Sequence, residues 1–185
     1  MISSFAVIEM EELPKRKTIR LKGYDYNEAG TYFLTICTEN KRCILSSVVV
    51  TGVLDGPKIK LLPYGEIAER YIRQIDDYYD FLFVEYYVIM PNHIHILLRV
   101  EDGGPSRTPV PTIQNSVVSR FISTFKRFCN KECGENIWQK RSYDHIVRGQ
   151  RDYDKIAKYI CENPNKWSED RFYVKEDAQN DGKNV

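Results

Sequence analysis

The segment 84–100 (VEYYVIMPNHIHILLRV) limits the possible folds of this chain more than any other stretch. Two runs rich in β-branched and aromatic residues, 84–90 and 93–100, flank the turn signal Pro91-Asn92. Runs of this kind on either side of a short turn predict an antiparallel β-hairpin. The chain must therefore bury at least one two-stranded unit against further structure.

Alternation along 93–100 fixes which side chains share a face of that strand. One face is wholly apolar and must point to a core: Ile94, Ile96, Leu98 and Val100. The other face carries His93, His95, Leu97 and Arg99. Its two imidazoles start about 7 Å apart at the backbone, which is close enough to chelate one ion if a third ligand is supplied. We expect the pair at a sheet edge open to a cleft, although two histidines without a metal remain the alternative.

Periodicity elsewhere predicts an α+β fold. Residues 31–38 form a strand pattern, and 42–50, 57–62 and 145–148 form weaker ones. Helical spacing of apolar residues marks 65–79, 112–131 and 151–162. This order predicts a sandwich in which helices pack on an antiparallel sheet, and a ferredoxin-like arrangement is its simplest form.

The domain organisation follows from length and composition. A chain of 185 residues suits one domain. We expect a flexible lead-in at 1–14, a single domain at 15–168 and a polar tail at 169–185. No apolar run approaches the roughly 20 residues of a membrane span, and no secretory signal pattern is evident. The five cysteines lack the clustering of a structural zinc site, so we expect free thiols and a cytoplasmic protein.

The helix at 151–162 places two polar side chains beside its apolar stripe. The stripe consists of Tyr153, Ile156, Ala157 and Ile160. Tyr159 and Asn163 are four residues apart and therefore neighbours on one face. If the helix packs on the sheet, this pair reaches the histidines and offers a nucleophile and a neutral oxygen ligand. The alternative is that Tyr159 is a packing residue at the boundary of the core.

Charge distribution, rather than the net charge of +1, indicates a nucleic-acid partner. Basic residues outnumber acidic ones between 115 and 151, where they surround Trp138: Arg120, Lys126, Arg127, Lys140, Arg141, Arg148 and Arg151. Basic grooves with aromatic platforms suit single strands. A second basic stretch is a candidate phosphate contact: Lys15, Arg16, Lys17, Arg20 and Lys22. Solvated surface is the alternative for both.

Three motifs together resemble the HUH single-tyrosine transposases, and most of all their REP-associated branch. They are MPNHIHILL (90–98), IWQKRSYDHIVR (137–148) and YICENPNKW (159–167). HUH denotes a histidine, a hydrophobic residue and a histidine. The similarity spans residues 17–170. The order and spacing of the three motifs are specific, whereas two alternate histidines alone are not.

The resemblance implies an activity. His93 and His95 bind Mg²⁺ or Mn²⁺, and Asn163 stands where the family places the third metal ligand. Tyr159 attacks a phosphodiester of single-stranded DNA, becomes linked to the 5′ phosphate and frees a 3′ hydroxyl that can later rejoin the strands. The partners are palindromic repeats that fold into hairpins. Relatives act as dimers or as monomers, so a monomer and a homodimer both stay open.

Other functions share these residues. A catalytically silent, domesticated DNA-binding module would keep the basic residues and dispense with Tyr159. A metal-dependent hydrolase would use water as the nucleophile. Replication initiators and relaxases often have a second tyrosine, but Tyr153 lies off the face of Tyr159. Tyr143 is a weaker candidate nucleophile. His145 is either a structural residue bonded to the backbone, or a residue that contacts DNA or supports the metal ligands.

Overall fold

The computed structural model describes residues 28–50, 56–101 and 116–174. The lead-in, the basic stretch with Lys15, Arg16, Lys17 and Arg20, and most of the loop after residue 101 lie outside these ranges. The strands are β1 (Gly30–Cys37), β2 (Ser46–Val50), β3 (Pro57–Leu61), β4 (Leu82–Ile89), β5 (His93–Val100) and β6 (Tyr143–Ile146). The helices are α1 (Pro63–Arg73), α2 (Val117–Cys133) and α3 (Gln150–Glu162), and a 3-10 segment, Asn163–Glu169, follows α3 directly.

The main sheet has the strand order β4-β5-β1-β6, and every neighbouring pair is antiparallel. With α1 between β1 and β4 and α2 between β5 and β6, this is the ferredoxin-like βαββαβ arrangement. The predicted fold class is therefore confirmed. Strands β2 and β3 form a separate antiparallel pair. No helix within the described ranges is long and apolar enough to cross a membrane.

One face of the sheet packs against α1 and α2. The apolar face of β5 behaves as its alternation predicts, because Ile94, Ile96 and Leu98 are fully buried there. Ile72 of α1 and Phe121 of α2 belong to the same cluster. Apolar burial on this scale is the main stabilising contribution, at roughly 1.5–3 kcal/mol for each large aliphatic side chain. This layer holds the sheet rigid beneath the histidines of its other face.

The opposite face packs against α3 and the β2–β3 pair. Phe33, Met90, Leu97 and Ile160 form its buried centre. The predicted apolar stripe of α3 lies in this cluster together with Val48 and Ile59 of the small strand pair. The carboxyl-terminal half of α3 is thereby held over the histidine-bearing face of β5.

The expected position of the histidines at a sheet edge is wrong. Strand β5 is hydrogen-bonded to β4 on one side and to β1 on the other, so it lies inside the sheet. A hairpin sequence shows which two strands pair, but not which outer edge receives a third strand. Here β1 covers the free side of β5, and the cleft is formed by the layer above the sheet instead.

Candidate active site

His93 and His95 stand side by side on the face of β5 that looks towards α3. Their exposed fractions are 0% and 1%, and their ring centroids are 4.5 Å apart. The neighbouring strand β1 places Thr35 opposite His95 and Cys37 opposite His93. Alternation along β5 and pairing with β1 therefore suffice to hold two imidazoles together in a dry environment.

Hydrogen bonds determine which ring nitrogen of His93 carries the hydrogen. The side-chain nitrogen of Asn92 donates to the carbonyl oxygens of Phe172 at 2.8 Å and Lys41 at 3.4 Å, so its Oδ1 faces Nδ1 of His93 at 2.9 Å. Because an amide oxygen only accepts, Nδ1 carries the hydrogen and Nε2 keeps its lone pair. Nε2 is buried and has no hydrogen-bond partner among the described residues. A neutral imidazole with one free nitrogen is the form that binds a metal.

Both imidazoles are neutral at neutral pH. Burial lowers the pKa of His93 to about 3, and the positive charges of Arg171 and Lys41 act in the same direction. Burial also lowers the pKa of His95 well below its ordinary value, with a further contribution from His93. Nδ1 of His95 lies 2.9 Å from Oγ1 of Thr35, which orients the second ring. Protons therefore compete little with a metal for these nitrogens.

Tyr159 reaches the histidines from the carboxyl-terminal half of α3. Its phenol oxygen is 3.2 Å from Nε2 of His95 and 3.3 Å from Oδ2 of Asp170. Burial raises the pKa of Tyr159, and the negative charge of Asp170 raises it further. The phenol is therefore protonated at neutral pH and needs a proton acceptor to become a nucleophile. Since 40% of the side chain is exposed, a large substrate can reach it.

Asn163 lies next to Tyr159, at the start of the 3-10 segment, as the four-residue spacing predicts. Its side chain is 2% exposed. Nδ2 donates to Oδ2 of Asp170 at 3.2 Å, whereas Oδ1 is buried without a hydrogen-bond partner in the described parts of the chain. An unpaired buried oxygen is costly unless a ligand satisfies it.

Asp170 completes the cluster, and sequence reasoning missed it. One ligand atom each from His93, His95 and Asp170 lie within 4.8 Å of one another. Two imidazole nitrogens and oxygen donors are a suitable ligand set for a divalent ion. Nε2 of His93 and Oδ1 of Asn163, both buried without a described partner, would be satisfied by such an ion. In the sequence Asp170 falls in the expected polar tail, where no motif or periodicity distinguishes it.

A pocket of about 360 Å³ adjoins the cluster. Its lining comes from β1, β5, β6, α3 and the segment after Asn163–Glu169: Phe33, His95, Tyr143, His145, Asp152, Ile156, Tyr159 and Arg171. His145 donates from Nε2 to Oδ2 of Asp152 at 2.9 Å. Its hydrogen-bond partner is therefore a side chain, whereas the structural interpretation of His145 expects the backbone.

The basic residues predicted to contact DNA occupy two kinds of position. Of the seven around Trp138, six are exposed: Arg120, Arg127, Lys140, Arg141, Arg148 and Arg151. Lys126 is half-buried, and its amine donates to the carbonyl oxygen of Gln139 at 2.8 Å. Trp138 is 1% exposed and packs against Phe125 with ring centroids 5.5 Å apart. The expectation that Trp138 is a platform for bases is therefore wrong, because its indole is buried in the hydrophobic core.

Comparison with known proteins gives consistent matches. Residues 59–163, more than half of the chain, match the family described as "Transposase IS200 like". An uncharacterised protein of Haemophilus influenzae is 29% identical over 174 residues, which cover 86% of this chain and 93% of the relative. A REP-associated tyrosine transposase of Escherichia coli is 26% identical over 140 residues, covering 75% of this chain and 68% of the relative.

A solved structure shares the fold. It is described as a REP-associated tyrosine transposase bound to a REP hairpin, and it superposes with a TM-score of 0.53 at 23% identity. The match covers 80% of this chain and 73% of that one. The predicted resemblance is confirmed, and the chain belongs to the IS200-like transposase family.

Proposed function

We propose that this protein cleaves and rejoins single-stranded DNA near hairpins through a covalent 5′-phosphotyrosine intermediate on Tyr159. The observation that carries the proposal is the phenol oxygen of Tyr159, 3.2 Å from Nε2 of His95 in a cluster of candidate metal ligands. Family membership supports the transposase role. The REP hairpin held by the structural relative supports hairpin DNA as the partner. We infer that the protein acts in the cytoplasm, as a monomer or a homodimer.

The proposed metal ligands are His93, His95 and Asn163, with the carboxylate of Asp170 in reach of the same ion. A bound Mg²⁺ or Mn²⁺ would polarise the scissile phosphate and offset the charge that develops on it. Imidazoles alone favour softer ions such as Zn²⁺, but amide and carboxylate oxygens suit Mg²⁺ and Mn²⁺. The mixed ligand set therefore agrees with the ions that the family resemblance implies.

Tyr159, Asp170 and solvent together account for the bond changes and the proton transfers. The phenol oxygen of Tyr159 attacks phosphorus, the bond from phosphorus to the 3′ oxygen breaks, and the phenol proton passes to Asp170. The departing 3′ oxygen takes a proton from solvent and becomes a hydroxyl. Rejoining is the reverse reaction, in which a 3′ hydroxyl attacks the phosphotyrosine and Tyr159 recovers its proton. The phosphotyrosine preserves a phosphodiester bond, so the cycle needs no nucleotide cofactor.

DNA binding is proposed for the exposed basic residues Arg120, Arg127, Lys140, Arg141 and Arg148, with Lys15, Arg16, Lys17 and Arg20 contacting the DNA beside the hairpin. Such contacts release counterions and weaken with salt. The amine of Lys126 already donates to Gln139, so we leave this residue out of the proposed DNA contacts.

The test is a denaturing gel. The purified protein is mixed with Mn²⁺ or Mg²⁺ and with labelled single strands that carry hairpins from its own genomic neighbourhood. We expect a protein–DNA adduct that disappears in Tyr159→Phe and in His95→Ala. Tyr153→Phe is the matched control on the same helix. The ring of Tyr153 packs against Tyr86, with ring centroids 6.4 Å apart, and is not part of the candidate metal cluster.

Two results would replace the proposal. Cleavage without an adduct, unchanged in Tyr159→Phe, would identify a hydrolase that uses water as its nucleophile. Hairpin binding without cleavage in either metal would favour the silent repeat-binding module.

A further inference from the structure

The pocket beside Tyr159 reaches from the candidate metal cluster to β6, the edge strand of the sheet. Tyr159 and His95 line one end of it, and Tyr143 and His145 of β6 line the other. A phosphate placed for attack by the phenol lies at the first end. One of the two nucleotides that adjoin this phosphate then lies at the mouth of the pocket.

The walls are suited to a flat, largely apolar group. Phe33 and Ile156 offer hydrocarbon surface, and the ring of Tyr143 is also part of the lining. The guanidinium of Arg171 stands 5.7 Å from the centroid of the Tyr143 ring. Bases splayed out of a single strand stack on aromatic rings and on arginine planes. A phosphate or a hydrated ion would gain little from Phe33 and Ile156.

A fixed polar pair faces the same space. Oδ2 of Asp152 accepts hydrogen bonds from the backbone N–H of Arg148 and from Nε2 of His145, each at 2.9 Å. Both bonds lower the pKa of Asp152, the one from Arg148 more strongly, so the carboxylate is anionic at neutral pH. This negative charge repels a phosphate from that end of the pocket. Because His145 uses Nε2 for Asp152, its Nδ1 is the ring atom left for a ligand.

We propose that this pocket binds the base of a nucleotide adjoining the scissile phosphate, stacked against Tyr143 and hydrogen-bonded by Nδ1 of His145. The proposal rests on the proposed function, since it presumes DNA cleavage at Tyr159. It makes His145 a specificity-determining residue and gives Tyr143 a binding role rather than that of a second nucleophile.

The first experiment needs no cleavage. The non-cleaving Tyr159→Phe protein is titrated with a hairpin-bearing strand in which each nucleotide in turn is replaced by an abasic residue. Stacking of one base is worth about 1–3 kcal/mol, so we expect one abasic position to weaken binding by roughly 5- to 150-fold. Adding Tyr143→Ala should abolish that penalty, whereas Tyr143→Phe, which keeps the ring, should retain it. If Tyr143→Ala reduces no penalty at any position, the pocket does not bind a base.

The second experiment reads specificity. Strands with randomised nucleotides around the cleavage site are incubated with active protein, and the covalent adducts are sequenced. We expect a base preference at one nucleotide adjoining the attachment point. It should be lost in His145→Ala and kept in Asp154→Ala, a change at an exposed position on α3. Adducts without a preference, or with one unchanged in His145→Ala, would overturn the pocket proposal and leave the proposed function standing. Absence of any adduct would count against the proposed function, and the abasic titration would still decide the pocket.

Discussion

Asp170 is the residue on which the proposed proton transfer depends. Its Oδ2 is 3.3 Å from the phenol oxygen of Tyr159, and the pKa of that phenol is raised. General acid–base catalysis contributes about 10²–10⁴-fold, so Asp170→Asn should slow adduct formation on the order of 100-fold at saturating Mn²⁺. Single-turnover kinetics on labelled strands would measure the rate. Asp154→Asn is the control, and an unchanged rate in Asp170→Asn would rule out Asp170 as the proton acceptor.

Asn92 should support the proposed binding of a metal by its neighbour His93. Its Oδ1 holds the hydrogen of His93 on Nδ1 and thereby keeps Nε2 free. Loss of such a supporting hydrogen bond typically costs 10–100-fold in metal affinity, and we expect a loss of about that size in Asn92→Ala. Calorimetric titration with Mn²⁺ would give the affinity, and a melting curve would show that the fold survives. Equal affinity in a folded Asn92→Ala protein would show that the tautomer needs no support from Asn92.

Part of the site is readable at the level of single residues. Alternation placed His93 and His95 on one face, and the four-residue spacing placed Asn163 beside Tyr159. Both are local rules of the backbone. Asp170 obeys no such rule, because its contacts with Tyr159 and Asn163 depend on the path of the 3-10 segment Asn163–Glu169 between them. A polar residue after a proline-containing turn looks the same in sequence whether or not it enters a site.

At the scale of elements, the amine of Lys126 on α2 is hydrogen-bonded to Gln139, in the segment before β6. The burial of this amine lowers the free energy of unfolding at neutral pH. Burial lowers the pKa of its amine to about 8, while in the unfolded chain it stays near the ordinary value. The folded state therefore favours the neutral amine. The free energy of unfolding is therefore highest above about pH 10.4, where the amine is neutral in both states, and it decreases as the pH falls to about 8. At pH 7 the buried charge costs about 3 kcal/mol, at about 1.4 kcal/mol per pKa unit.

Lys126→Met should consequently stabilise the protein. After subtraction of about 1 kcal/mol for the lost hydrogen bond to Gln139, we expect a gain of about 2 kcal/mol at pH 7 that shrinks towards pH 10. Urea unfolding at several pH values would measure it, with the exposed Lys131→Met as control. A variant less stable than the parent at pH 7 would show that the charged amine is well solvated in the fold.

Periodicity predicted most elements but not their neighbours. The strands at 84–90 and 93–100 and the three helices were found because apolar residues repeat with the period of each structure. Periodicity did not predict the strand order, because the pairing of β1 with β5 joins residues about 60 positions apart, such as Thr35 and His95. The interior position of β5 and the burial of Trp138 both result from such long-range contacts, which local patterns do not encode.

At the scale of the whole molecule, the affinity for DNA should fall as the salt concentration rises, because the proposed contacts are electrostatic. Each phosphate contact on a single strand contributes about −0.7 to the slope of log affinity against log salt concentration. Arg141→Gln should therefore make the slope shallower by about 0.7, as measured by fluorescence anisotropy on a hairpin-bearing strand. Arg73→Gln should leave it unchanged, because Arg73 is paired with Glu69 on α1 and is not among the proposed DNA contacts. An equal slope for Arg141→Gln would remove Arg141 from the DNA-binding surface.

The two halves of the site are made at different times. The histidines of β5 leave the ribosome well before Tyr159, Asn163 and Asp170, and at about 5–20 residues per second the interval from residue 93 to residue 159 lasts roughly 3–13 s. Because the proposed nucleophile comes late, a nascent or truncated chain that ends before α3 carries the histidines without the tyrosine. If Tyr159 is the nucleophile, as proposed, such a chain can neither nick DNA nor become covalently attached to it.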